Sequence, residues 1–335
     1  MQTANFKLSQ LWKQSKLNPL HLFLGIVLSA LFLWLAFRGV SFTTLLTLLS
    51  QLNWNLVVLS LVLSVVGTLL RAGRWRLLYY PQHHRMPYFH LTGLLFFSQM
   101  LNLLIPARVG ELARLSLIRQ TSPARTLGTI AVEKLLDTLT LLAFLLALPF
   151  AVSLPDWFAE TQQSFVIISL SLFSLSLILF LFKQQLLALA SKLLRALPEK
   201  WGRRLQNALD QSLAGLDVFG SPLVGLRLQA WSFLVWGGGV LTNYALFYAL
   251  GMTLPLSAAI FLLLVLQVGI AVPNIPGKLG IFQYLVVLSL SAFGVEKDLA
   301  LSYSLILYLV AFVPHIVFGT LFGIREGIKK LKAPS

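Results

Sequence analysis

Long apolar runs, separated by short clusters of basic residues, dominate the chain. Six runs are long enough to cross a bilayer as uninterrupted helices, at about residues 20–38, 55–71, 127–150, 164–182, 229–250 and 300–324. Two more, about 91–119 and 257–293, are broken near their middles, and each piece is too short to span alone. The breaks read almost alike. Ile105-Pro106-Ala107-Arg108-Val109-Gly110 and Ile275-Pro276-Gly277-Lys278-Leu279-Gly280 each set a proline, a cation and a glycine inside apolar sequence, separated by about half of the 335 residues. Interrupted apolar segments at corresponding positions of two halves are a pointer to a substrate site in a membrane protein.

The distribution of basic residues sets the topology. Lys7, Lys13 and Lys16 place the N-terminus in the cytoplasm and the nearly uncharged loop Val40 to Trp54 outside. Arg71, Arg74, Arg76 and Arg85 follow on the cytoplasmic side, and so do Arg119 and Arg125. Residues 91–119 therefore enter and leave by one face, as a re-entrant hairpin. The acidic, aromatic segment from Pro155 to Glu160 lies outside, and the basic stretch from Lys183 to Arg227 lies inside. Within it, about residues 184–222 have the apolar spacing of surface-lying amphipathic helices. The second interrupted stretch, 257–293, begins and ends outside, and the last span returns to Arg325, Lys329, Lys330 and Lys332 in the cytoplasm.

The expected fold is an all-α polytopic membrane protein: six full transmembrane helices and two oppositely oriented re-entrant helical hairpins in one integral membrane domain, residues 1–335. Half one, about 20–150, and half two, about 164–324, each make three crossings. An odd number requires the halves to be inverted relative to each other. Both termini are expected on the cytoplasmic side of the inner membrane.

Composition agrees, because 57% hydrophobic and only 11% charged residues cannot furnish a water-facing surface. The net charge of +15 lies mostly beside the apolar runs, which favours topology and anionic lipid over nucleic acid. The segment Met1 to Pro19 is basic but no small-residue cleavage site follows the first apolar run, so Leu20 to Phe37 is expected to be retained. No cysteine is present, and none of the five histidines pairs with carboxylates in helical register. Neither a metal nor a cofactor is expected.

The candidate chemistry gathers at the breaks. Pro106 and Gly110 act as hinges that leave backbone groups exposed and let the chain reverse. Asn102, Arg108, Glu111 and Arg114 lie in or beside that break, the last three spaced along one side of a half-helix. Arg108 or Arg114 could simply pair with Glu111; two arginines to one glutamate also leave a cation for an anionic group, which a guanidinium holds well. In the second break Pro273, Asn274, Pro276, Gly277 and Gly280 surround Lys278, followed by Gln283. The P-loop spacing and its Ser or Thr after Lys are missing. Lys278 either meets an anion near the start of a half-helix or snorkels to water.

Two more groups complete the set. Glu133 and Asp137 stand one turn apart, Glu133 roughly 10 Å inside a span that starts near Arg125. They could neutralise Arg108, Arg114 or the Arg71, Arg74, Arg76 cluster, or carry protons during transport. The arginine cluster itself reads either as an ordinary cytoplasmic flank or as a gate that captures anionic headgroups.

Arg71-x-x-Arg74-Trp75-Arg76, Asn102-x-x-x-Pro106-x-Arg108-x-Gly110-Glu111-x-x-Arg114, Glu133-x-x-x-Asp137 and Pro273-x-x-Pro276-Gly277-x-x-Gly280 occur in that order. In this the chain resembles the flippase-like transmembrane family that includes the membrane portion of lysylphosphatidylglycerol synthases and the UPF0104 group, over roughly residues 15–330. The resemblance implies translocation of an anionic phospholipid or a polyprenyl-phosphate-linked lipid. Aminoacyl transfer, which the synthases perform in a separate soluble domain, is not expected, since none follows Ser335. Gln283 departs from the pattern, because the family more often places an acid there. That weakens any mechanism needing a titrating carboxylate in the second hairpin.

The leading expectation is a lipid flippase or scramblase rather than an enzyme, and without a nucleotide-binding motif it is not driven directly by ATP. The alternatives are a membrane-embedded enzyme on a lipid-phosphate substrate, with Glu111 or Asp137 as base, and an architectural partner of a glycosyltransferase or another lipid-synthesis protein.

Overall fold

The computed structural model describes residues 30–105, 109–118, 120–151, 221–269 and 276–332, and isolated positions at 27, 167, 170, 171, 174 and 185. The described residues are mostly helical, and no strand occurs among them. After helical residues 30–37 come α1 (Phe42–Ser50), α2 (Trp54–Leu77), a 3-10 turn (Gln82–Arg85), α3 (Tyr88–Leu104), α4 (Val109–Leu117) and α5 (Pro123–Ala151). The second part holds α6 (Pro222–Ala249), α7 (Leu256–Gly269), a 3-10 turn (Pro276–Lys278), α8 (Ile281–Ser291) and α9 (Lys297–Lys332).

Helices cover the described parts of the predicted runs at 20–38, 55–71, 127–150, 229–250 and 300–324. The run at 164–182 and the amphipathic segment at 184–222 lie almost wholly outside the described residues. Helix α2 and the Lys297–Gly327 part of α9 are long and apolar enough to cross a membrane. Both carry rows of exposed large apolar side chains, such as Val58, Val62 and Val66 on α2 and Val313, Val317, Leu321 and Ile324 on α9. Lipid suits such a surface and water does not. One expectation changes: the loop from Val40 to Trp54 contains α1. Ser41 opens it, accepting a hydrogen bond from the Thr44 N–H at 3.4 Å. Its apolar face packs against α9, in a cluster where Leu49 joins Ala36 and Leu301.

The chain forms two compact units, Met1–Thr68 with Thr92–Leu117 and Gly238–Ser335, and Leu69–Leu91 with Ile118–Gly237. The first unit holds both broken segments. Helices α3 and α4 share a cluster of Met100, Leu101 and Ala113, flanked by Phe97, Ile105 and Leu117. Legs α7 and α8 run antiparallel. Gly269 lies against Leu285 while Phe261 meets Phe293 edge-on at 5.7 Å, so one leg retreats as the other advances. Helix α9 serves both. Tyr308 and Phe312 pack on Phe282 of α8, and beyond Pro314 the ring of Phe318 packs on Phe96 of α3. At the start of α9, Lys297 Nζ donates to the carbonyls of Leu35 and Arg38 at 2.9 and 2.6 Å. A cation there satisfies the exposed carbonyls at the end of the preceding helix.

The second unit is built from the ends of α2 and α6 with α5. Prolines open α5 and α6, where a missing N–H costs nothing and the fixed φ suits the first turn. Ser122 accepts from the Arg125 N–H at 3.2 Å to close the start of α5. Phe144 of α5 packs on Phe233 of α6, and Gln229 donates to Thr140 at 2.9 Å between the same helices.

Candidate functional site

In the second unit, charged and polar side chains that the sequence scatters over three segments gather around Arg74. This side chain is fully buried. Its Nη1 donates to Asp137 Oδ1 at 2.6 Å and to Ser232 Oγ at 2.8 Å, and Nη2 lies 3.7 Å from Glu133 Oε1. Helical spacing explains the two acids, because residues four apart share a face. Asp137 Oδ1 also accepts from Trp236 Nε1 at 2.9 Å, and the Arg71 guanidinium lies 5.6 Å from the centre of the Trp236 ring. Gly73 makes room beside the group, since a Cβ there would stand 2.9 Å from the Trp231 ring.

The acids thus neutralise Arg74, one of the partners their spacing left open. A charge taken out of water is tolerated when it is paired and hydrogen-bonded in this way. Arg76 belongs elsewhere: its Nε donates to the His83 carbonyl at 3.1 Å and holds the turn after α2.

In the first unit the break between α3 and α4 is stapled by Asn102, whose Oδ1 accepts from the Gly110 N–H at 2.8 Å. Only glycine fits, because a Cβ at 110 would stand 1.9 Å from the Ser98 carbonyl oxygen. That contact folds α4 back on α3. Arg114 is buried at 4% exposure and Glu111 is half-buried on the same leg. Pro106 and Arg108 lie outside the described residues.

The second break holds three residues with positive φ within four positions. Gly277 and Gly280 have φ of 84° and 86°, and Lys278 adopts 54°. For a residue with a Cβ the left-handed region costs roughly 1–2 kcal/mol, so the surroundings must hold Lys278 there. Tyr308 Oη donates to the Gly277 carbonyl at 2.6 Å, and the Lys278 ammonium stands 5.7 Å from the centre of the Phe312 ring. A cation over a ring face is attracted by its quadrupole. Gln283 is buried, and its Oε1 accepts from the Gly280 N–H at 2.8 Å at the start of α8. A neutral acceptor therefore does structural work where the resemblance led us to look for an acid. Pro276 opens the turn, while Pro273 and Asn274 lie outside the described residues.

Ser232, Trp236, Tyr308 and Phe312 were not among the sequence candidates. Polar groups on otherwise apolar helices are their signal, for Ser232, Trp236 and Tyr308 each direct a hydroxyl or indole to a partner. Phe312 carries no such signal. Among the described residues no cluster of metal-ligating side chains occurs.

The described residues thus form a helical membrane protein, with interrupted apolar helices and a buried ionic group. A family described as the lysylphosphatidylglycerol synthase TM region matches residues 22–319, and the chain belongs to that family. A UPF0104 membrane protein of Pyrococcus horikoshii is 25% identical over 327 residues, covering 89% of this chain and 94% of its own. No solved structure matches.

Proposed function

We propose that the protein carries an anionic phospholipid or a polyprenyl-phosphate-linked lipid between the leaflets of the cytoplasmic membrane, with both termini on the cytoplasmic side. In this reading the broken segments are re-entrant hairpins of an inverted repeat. Their cations, Arg108, Arg114 and Lys278, meet the headgroup while the acyl or prenyl chains stay in lipid. The observation that carries the reading is the presence of two helix breaks in one compact unit of a protein with lipid-facing helices, with Arg114 on the leg after the first and Lys278 in the second. Irregular backbone at membrane depth is tolerated where it is enclosed by protein or lines a wet cavity. Ionisable groups at such depth mark pathways for charged cargo. Membership of a family described by a lipid-headgroup synthase supports a lipid as that cargo.

The test is leaflet exchange in vesicles of phosphatidylcholine and phosphatidylglycerol carrying fluorescent phosphatidylglycerol. Wild type accelerates exchange, Lys278→Ala slows it at least tenfold, and Lys278→Arg restores part of it. A protein that alters the lipid covalently without exchanging it would sink the transport reading and favour a membrane-embedded enzyme.

A further inference from the structure

Three glycines in succession, Gly237, Gly238 and Gly239, stand inside α6, where glycine weakens a helix. The usual reason for a glycine in a membrane helix is close approach of a neighbour. That reason holds for Gly239 alone, where a Cβ would stand 2.9 Å from Leu263 Cδ1. Among the described residues, a Cβ at Gly237 or Gly238 meets nothing within 4 Å, and the same is true of Gly67 in α2. None of the three has a positive φ, so no unusual backbone conformation requires them either.

Their position supplies a reason. Helices α2 and α6 pass from one compact unit to the other, at Thr68/Leu69 and Gly237/Gly238. On one side of each crossing the helices are clamped. Arg74 of α2 and Trp236 of α6 both bond Asp137 of α5, and Arg74 also bonds Ser232 of α6. Trp236 directly precedes Gly237, and Gly67 lies one turn before Arg71, whose guanidinium stacks on Trp236. An ionic clamp thus adjoins a run of glycines in α6 and lies two turns from a single glycine in α2.

We propose that α6 bends at Gly237 and Gly238 and α2 bends at Gly67, with the Arg74–Asp137–Trp236 clamp as the fixed base of both flexures. The bend is a property of the helices; its use in moving a headgroup rests on the transport reading above.

Two exposed positions near the ends of α6, Leu223 and Tyr248, lie close to seven helical turns apart on one face, about 37 Å by helical rise, with the glycines between them. The chain has no cysteine, so Leu223→Cys and Tyr248→Cys accept spin labels alone. In nanodiscs of phosphatidylcholine and phosphatidylglycerol, the pair gives a broad or two-component distance distribution. Gly237→Ala with Gly238→Ala collapses it to one narrow component and raises the unfolding midpoint by about 2–4 °C. In vesicles the same double variant, though more stable, exchanges lipid at least fivefold more slowly. Equal widths in both proteins would overturn the flexure, as would an altered oligomeric state with unaltered width, which would make the glycines a packing surface for a second copy. A narrowed distribution in a protein whose wild type exchanges no lipid leaves the flexure standing and removes the transport reading instead. Narrowing with undiminished exchange removes the bend from the transport step.

Discussion

Arg74 and Lys278 are both basic residues in the interior of apolar sequence, yet the structure treats them in opposite ways. Arg74 stands in an unbroken helix and is held by a serine and two carboxylates on neighbouring helices. Lys278 stands in broken backbone, in a left-handed conformation fixed by a tyrosine, with its ammonium over a phenylalanine ring. At 2.6 Å the Arg74–Asp137 contact is a short charge-assisted hydrogen bond, the strong kind. A cation–π contact contributes about 0.5–2 kcal/mol, less than a charge-assisted pair. The difference teaches that charge inside apolar sequence serves two ends in this protein. One fastens helices together, and the other stands at a helix break beside an aromatic ring.

The contrast can be broken most directly at Arg74. Replacing it by alanine takes the guanidinium away from buried Glu133 and partly buried Asp137, a change that costs about 3–5 kcal/mol. Arg74→Ala is therefore expected to lose most monodisperse protein in detergent, read by size-exclusion chromatography, while Arg74→Lys retains part of it. Next in size comes Gly110→Ala, which drives a Cβ into the Ser98 carbonyl and costs about 1–3 kcal/mol. Thermal unfolding should show the drop, and an unchanged midpoint would mean that α4 does not fold closely onto α3.

Smaller effects sharpen the second tip. Gln283→Leu removes the acceptor of the Gly280 N–H and is expected to cost about 1–2 kcal/mol. Gln283→Glu offers the same acceptor and should be better tolerated, so the order of the two unfolding midpoints checks the capping role. Smallest is Tyr308→Phe, which deletes one hydrogen bond worth about 1 kcal/mol. Its stability change should be slight while hydrogen exchange around Gly277 accelerates. Protection that stays the same would show that Lys278 is held by other means.

Much of this was legible in residue order. Apolar run length gave the helices, and Pro276, Gly277 and Gly280 gave the second break, because those residues act on their own backbone. The spacing of Glu133 and Asp137 announced a shared face. Which arginine they meet was not legible, since Arg71, Arg74 and Arg76 differ only in direction around α2, and the choice depends on Ser232 and Trp236 from far along the chain. The same holds for Tyr308 and Phe312, which matter through packing on a turn distant in sequence. Helix α1 escaped notice because a short apolar segment without charges reads as readily as a loop. Gln283 looked like a missing acid until Gly280 was seen to be the start of α8.

The length of α9 has a consequence of its own. Its 36 residues extend about 54 Å along the axis, against roughly 30 Å for the hydrocarbon of a bilayer. The helix must therefore lean steeply, bend at Pro314, or stand out of the oil by several turns. Both broken segments pack on this one helix, α8 through Phe282 and Tyr308 and α3 through Phe96 and Phe318, so a change in its tilt would carry both together.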